Sequence, residues 1–250
     1  PGASSYWLTA HGSAPDIFVA SYNSTGVLQS AFSISGSGTE NVTKLELDVN
    51  ENIYLVGNFT GSPDFDPGQG SSNEYIMSSY GANDVFLAEY DYSGYLYGVL
   101  QIGGVGNEYA TDMVLDANDN PVLTGSFTST ANFGMDWWTE SWVYLTSSGD
   151  SDIFLARYPS FSSQESISSA STGTQGSKGG SPGQIFAAAS FGGPGPDMGT
   201  SVHVDDAGNI ILGGIFKGVN IDFNPGNDTN AISSKSNSTD IFLNTYILFP

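Results

Sequence analysis

The stretch "DIFVA" at 16–20 returns as "DVFLA" at 84–88, "DIFLA" at 152–156 and "DIFLN" at 240–244, at spacings of 68, 68 and 88 residues. Other anchors keep the same order. "ISGSGTE" from Ile34 returns as "IGGVGNE" from Ile102 and more loosely as "FGGPGPD" from Phe191, and "LVGNF", "LTGSF" and "LGGIF" place aligned glycines at 57, 125 and 214. A fixed period of this length is the signature of a repeat architecture, in which each unit covers its neighbours' apolar faces. The units divide the chain into a partial one over 1–41, full ones over 42–109 and 110–199, and a partial one over 200–250. The extra length of the third falls in the Ser/Gly-rich stretch at 160–183, which reads as a flexible loop inside a regular unit.

Within a unit the apolar period is two, in runs bounded by Gly, Asn, Asp or Pro, so the elements are strands. Four fit each unit; in the first full one they are "VTKLELDVN", "NIYLVGNFT", "DVFLAEYDY" and "GYLYGVLQI". "DANDN" at 116–120 and "DAGN" at 206–209 supply turn residues between paired strands. In "DIFVA", Ile17 and Val19 face one way and Phe18 and Ala20 the other, so both faces are apolar and both need a cover. The expected fold class is all-β: β-propeller blades of four-stranded antiparallel sheets, with incomplete blades at both ends. A β-solenoid is the main rival, and a sandwich, which covers one face per sheet, fits less well.

The cycle formed by these anchors, closed by "DFDPG" at 64–68 and "DFNPG" at 222–226, resembles the bacterial β-propeller repeat called SBBP. The Asp-Phe-Asp-Pro-Gly variant is similar to repeats of large secreted proteins of Bacteroidetes-like bacteria. The resemblance covers nearly the whole chain outside 160–183, and implies a propeller and an extracellular or cell-surface location but no reaction. The middle unit departs from it, with "NFGMD" at 132–136 in place of the motif.

The charge narrows the partners. With 26 acidic residues against 5 basic ones the formal charge is −21, and phosphate backbones and anionic lipid need the clustered Lys and Arg that this chain lacks. Nucleic acid and membrane insertion are therefore not expected, whereas cations are natural partners. Cysteine is absent, so disulfides and thiolate metal sites are excluded. With 15 Phe, 13 Tyr and 4 Trp the chain has the means for an ordered core.

The repeated motif has two readings. As a turn, Pro67 and Pro225 fix φ, Gly68 and Gly226 supply the permissive position, and Phe65 and Phe223 pack inward. As a calcium site, Asp64 and Asp66 in one unit and Asp222 and Asn224 in another supply hard oxygen ligands, helped by backbone carbonyls. The triplets Asp48/Asn50/Asn52 and Asp116/Asn118/Asn120 resemble calcium loops in spacing, but hairpin turns explain them better. The glycine-rich anchors lack a following Gly-Lys-Ser/Thr and are not expected to hold phosphate.

No catalytic residues are assigned. His11 and His203 stand in different units, and His203, between Val202 and Val204, is expected to be packed or turn-bonded. "MDWWTESW" at 135–142 gathers Trp137, Trp138 and Trp142 near Asp136 and Glu140, so these tryptophans are candidate glycan contacts. Sequons at Asn23, Asn41, Asn58, Asn227 and Asn237 are candidate glycosylation positions. The expected function is a non-catalytic extracellular structural or adhesive repeat module. Its partners would be copies of itself or flanking repeats, since the terminal strands do not add up to a closed ring; the chain is expected to be part of a larger ring, or of a polymer in which a neighbouring copy completes the terminal blades by β-strand addition. A carbohydrate-binding or carbohydrate-cleaving propeller using the tryptophan loop is the alternative.

Overall fold

The computed structural model describes residues 7–66, 74–136, 138–162, 183–224 and 230–247. The first unit contributes the antiparallel pair β1 (Ile17–Tyr22) and β2 (Leu28–Ile34). The second is a four-stranded antiparallel meander of β3 (Glu40–Leu47), β4 (Ile53–Phe59), β5 (Asp84–Tyr90) and β6 (Leu96–Gly104). The third contains β7 (Glu108–Leu115), β8 (Pro121–Phe127), the hairpin β9 (Thr130–Asp136) and β10 (Trp142–Thr146), then β11 (Asp152–Arg157), β12 (Gln184–Ile185) and β13 (Ala187–Phe191). The last contains β14 (Met198–Val204), β15 (Ile210–Phe216), the short pair β16 (Ile221–Asp222) and β17 (Ala231–Ile232), and β18 (Asp240–Tyr246). The expected all-β architecture of antiparallel units is thus present, and the strand positions follow the sequence period.

The repetition extends to individual pairs. The phenylalanine that ends the second strand lies opposite the aspartate that opens the third in each of three units: Phe59 and Asp84, Phe127 and Asp152, Phe216 and Asp240. The first strand carries a register shift at the same place each time, between Val42 and Lys44, Ala110 and Asp112, and Gly199 and Ser201. Bulges of this kind bend a strand and raise its twist.

Neighbouring sheets stack face to face. Ile17 and Val19 of β1 share a core with Leu55, Phe59 and Phe86 of the second unit. Val85 and Leu87 of β5 meet Leu123, Phe127 and Phe154 of the third. Ile153 and Leu155 of β11 meet Leu212, Phe216 and Phe242 of the fourth. One geometry is therefore used three times: the aliphatic face of one unit against the phenylalanine face of the next. The two-sided burial expected of "DIFVA" is met in its repeats β5, where all seven residues are buried, and β11, where the first five are, but not in β1 itself or β18, which leave Phe18 and Ile241 exposed.

The aligned glycines are explained by close approach. A Cβ on Gly57, Gly125 or Gly214 would collide with the carbonyl oxygen of Asn41, Tyr109 or Met198 and press on the ring of Phe86, Phe154 or Phe242. A Cβ on Gly38, Gly106 or Gly195 would collide with the carbonyl oxygen of Thr60, Thr128 or Lys217. The glycine-rich anchors are thus the places where the crossing chain lies against the end of the next unit's second strand.

Two features depart from a plain meander. The second sheet is extended by the third unit's hairpin, because β6 pairs with β9 and β9 with β10 and β12. The start of the stretch expected to be a loop is packed, with Ser160 and Phe161 at 4% and 5% exposure and Phe161 lying against Gly98. Residues 163–182, most of that stretch, lie outside the described residues.

Candidate functional site

The motif at 64–66 forms a staple between units. The Asp64 N–H donates to Ser35 O at 2.9 Å, fastening the loop to the end of the preceding unit, while Asp64 Oδ1 accepts the N–H groups of Asp66 at 3.0 Å and Tyr75 at 2.8 Å. Asp222 Oδ1 accepts those of Asn224 at 3.0 Å and Asn230 at 2.9 Å. The departing unit keeps the device with an amide: Asn132 Oδ1 accepts the Gly134 N–H at 2.9 Å, and Asn132 pairs with Gly103, the position of Ser35. Phe65, Phe133 and Phe223 are buried, each in edge contact with the phenylalanine ending its unit's second strand: Phe59, Phe127 and Phe216. Tyr90 Oη donates to Phe65 O at 2.6 Å and Tyr158 Oη to Phe133 O at 2.8 Å; in the last unit Asn244 Nδ2 donates to Phe223 O at 3.3 Å.

The turn reading of the motif accounts for these contacts. Pro67, Gly68, Pro225 and Gly226 lie outside the described residues, so the turn itself is not seen. Among the described residues no group of three or more His, Cys, Asp or Glu side chains converges as metal ligands would. Asp64, Asp66, Asp222 and Asn224 remain in two separate units. The Asp/Asn triplets are hairpin turns, as expected: Asp48 Oδ1 accepts the N–H groups of Asn50 and Asn52, both at 2.8 Å, and Asp116 and Asp205 repeat the pattern.

Sequence reasoning missed a second repeated constellation. The aspartate that opens the third strand lies beside the acid that opens the next unit's first strand: Asp16 with Glu40, Asp84 with Glu108, Asp152 with Asp197. In each unit this aspartate holds the preceding turn, Oδ2 accepting the N–H of His11, Tyr80, Ser148 or, at Asp240, Lys235. Glu108 Oε2 accepts the Gly104 N–H at 2.9 Å, and Asp197 accepts those of Gly193 and Lys217. The remaining oxygens Asp84 Oδ1, Glu108 Oε1 and Asp152 Oδ1 have no hydrogen-bond partner among the described residues, and Glu40 is left to share a hydrogen bond with the Asp16 carboxyl. Burial raises the Glu40 carboxyl to about 7, with Asp16 adding to the effect. Burial and the Asp84 charge raise Glu108 to about 8, and burial with the Asp197 charge raises Asp152 to about 6. Two carboxyls that face each other away from water cannot both ionise cheaply, so a retained proton is the favourable state. Both members stood in the quoted motifs, but in anchors 24 residues apart in the first two pairs and 45 in the third, and only the fold brings them together.

The tryptophan region is a surface hairpin. Trp142 is 45% and Tyr144 59% exposed on alternate positions of β10, an edge strand, and Trp138 in the connecting turn is 73% exposed. Asp136 Oδ1 holds that turn through the N–H groups of Trp138 and Thr139. Trp137 lies outside the described residues. A cleft of about 540 Å³ opens between the second and third units, lined by Asp48, Asn50, Tyr92, Tyr97, Asn118 and Ser160 among others. Beside it Ser160 donates to the buried Glu89 carboxylate, which also accepts the Phe161 N–H at 2.7 Å.

Two expectations are corrected. His203 is exposed rather than packed, because Val202 and Val204 on either side of it turn inward and the alternation of β14 puts the residue between them on the outer face; His11 is also exposed, with Nδ1 3.1 Å from Gly36 O. Asn58 is only 7% exposed and its Nδ2 donates to Glu108 O at 2.9 Å, so this fold leaves no room for a glycan there. Asn23 and Asn41 are exposed, while Asn227 and the Asn237 side chain lie outside the described residues.

No protein-family model matches the chain. Among curated proteins, the chain is 27% identical over 90 residues to the "Uncharacterized WD repeat-containing protein L264" of Acanthamoeba polyphaga mimivirus. That similarity covers 36% of this chain and only 6% of the viral protein.

Proposed function

We propose that this chain is a run of β-propeller blades serving as a non-catalytic structural or adhesive module of a secreted or cell-surface assembly. The observation that carries the reading is the junction built three times from the same positions, with its aspartates, phenylalanines and tyrosines committed to holding backbone and core. The similarity to a WD-repeat protein supports blades, since WD repeats build propellers. The extracellular assignment draws on the acidic, lysine-poor composition and the SBBP resemblance. Protease treatment of intact cells that make the protein, followed by blotting with an antibody against this chain, tests it. Loss of the signal without lysis is expected; protection until lysis would refute the location.

A second reading rests on Trp138, Trp142 and Tyr144, exposed on one hairpin and each offering a ring of the kind that stacks on sugars. A glycan array read with the unaltered chain and with Trp138→Ala/Trp142→Ala decides it. A signal lost in the double variant, whose fold should be unchanged, favours a carbohydrate-binding blade; no signal in either leaves the structural reading.

A further inference from the structure

The cleft between the second and third units is built from three hairpin turns. The β3–β4 turn brings Asp48, the β5–β6 turn Asp91 and Tyr92, and the β7–β8 turn Asp119, while β6 adds Tyr97. The carboxylates are held in place by backbone. Asp48 Oδ1 accepts the N–H groups of Asn50 and Asn52, Asp91 Oδ1 accepts those of Ser93 at 2.8 Å and Tyr95 at 2.9 Å, and the Asp119 carboxyl reaches across the junction to the Val49 N–H. Tyr97 packs on the core with one side and stands edge-on to Tyr95, their ring centroids 5.6 Å apart at 78°. Tyr92 is 66% exposed. Among the described residues that line the cleft there is no Lys, Arg or His. Burial and the Asp48 charge push the Asp119 carboxyl up, so the facing turns carry a repulsion that no lining side chain relieves.

We propose that this cleft binds an organic polycation, a short flexible chain carrying two or more ammonium groups, with Asp48, Asp91 and Asp119 taking the charges and the Tyr92 and Tyr97 rings taking the stem between them. The cleft's volume of about 540 Å³ lies within the range of small-ligand sites. Three carboxylates around one opening make a negative potential that a cationic ligand neutralises and a neutral sugar leaves in place. Among the described residues the carboxylates do not converge on one point as metal ligands would, so charges spaced along a chain fit them better than a single ion. An ammonium group over a tyrosine face gains further attraction, and a methylene stem lies well against the same ring. Binding here is additional to the structural role proposed above and independent of cellular location.

Isothermal titration of the chain with spermidine, a linear triamine, and separately with the peptide trilysine tests it. One equivalent of probe should bind, with an affinity that falls as salt is added. Asp91→Asn/Asp119→Asn removes two charges while keeping an oxygen for the Ser93 and Tyr95 N–H groups, and should weaken binding by about tenfold or more. Glu74→Gln/Glu140→Gln removes the same charge at exposed positions that do not line the cleft, and should change the affinity by less than about twofold. Tyr92→Lys, which sets an ammonium group into the cleft from an exposed position, should abolish binding by itself, so the test stands even if the Asp91/Asp119 variant fails to fold. Binding of spermidine alone points to a free polyamine, and binding of trilysine to the lysines of a partner protein; either upholds the proposal. No binding of either probe, equal weakening in the two double variants, undiminished binding by Tyr92→Lys, or binding of the neutral sugar maltotriose in their place would each overturn it.

Discussion

Phe65, Phe133 and Phe223 are held by a tyrosine or asparagine reaching their carbonyls from the third strand, and this sets the cost of losing either member. Phe133→Ala should cost about 3–5 kcal/mol of unfolding free energy, as removal of a buried phenyl ring does. Tyr158→Phe should cost about 1–3 kcal/mol, because the buried Phe133 carbonyl loses its donor while the packing stays. Chemical denaturation of both variants checks the order. The motif's aspartates can be tested for calcium as well as for stapling. If Ca²⁺ binds the folded chain, millimolar Ca²⁺ should raise the melting temperature, and Asp64→Ala with Asp222→Ala should abolish the increment. Asp64→Asn keeps an oxygen for the Asp66 and Tyr75 N–H groups, so a pure staple predicts near-normal stability without calcium.

Between elements, the acid pairs at the junctions make stability depend on pH. The folded state holds protons on Glu40, Glu108 and Asp152 with values of about 7, 8 and 6, against ordinary values of 4.5 for Glu and 3.8 for Asp. Between roughly pH 4 and 8 the folded chain therefore binds more protons than the unfolded one, and stability falls as pH rises. The contribution is complete below the ordinary carboxyl values and is lost as pH climbs through 6–8. The melting temperature should be higher at pH 5 than at pH 8.5. Self-repulsion at a formal charge of −21 acts in the same direction, so the diagnostic is the variant: Glu40→Gln/Glu108→Gln should flatten the slope, and Glu51→Gln, at an exposed turn, should leave it.

At the scale of the whole molecule, protection should be graded along the stack. The second and third units are covered on both faces, whereas β1 and β2 form a two-stranded sheet and β18 is bare on one face. A two-stranded sheet is marginal in water, since few side chains offset the ordering of its backbone. Amide exchange should accordingly be slowest in β4, β5, β8 and β11 and fastest in β1 and β2.

What was legible in the sequence is what a local pattern can carry. The 68-residue period, the strands, their turns and the inward phenylalanine of the motif follow from alternation and turn chemistry, which act over a few residues. The need for a cover on both faces of this strand was legible too, and it is met at β5 and β11, whereas β1 and β18 keep one face exposed. The tertiary structure alone decided which residues meet across the stack. Asp84 and Glu108 become a buried carboxyl pair only when the crossing chain brings the end of one unit beside the start of the next. Asn58 loses its place as a sequon because Glu108 O lies opposite its amide. Each of these depends on contacts between positions far apart in the chain, which a period of two cannot encode.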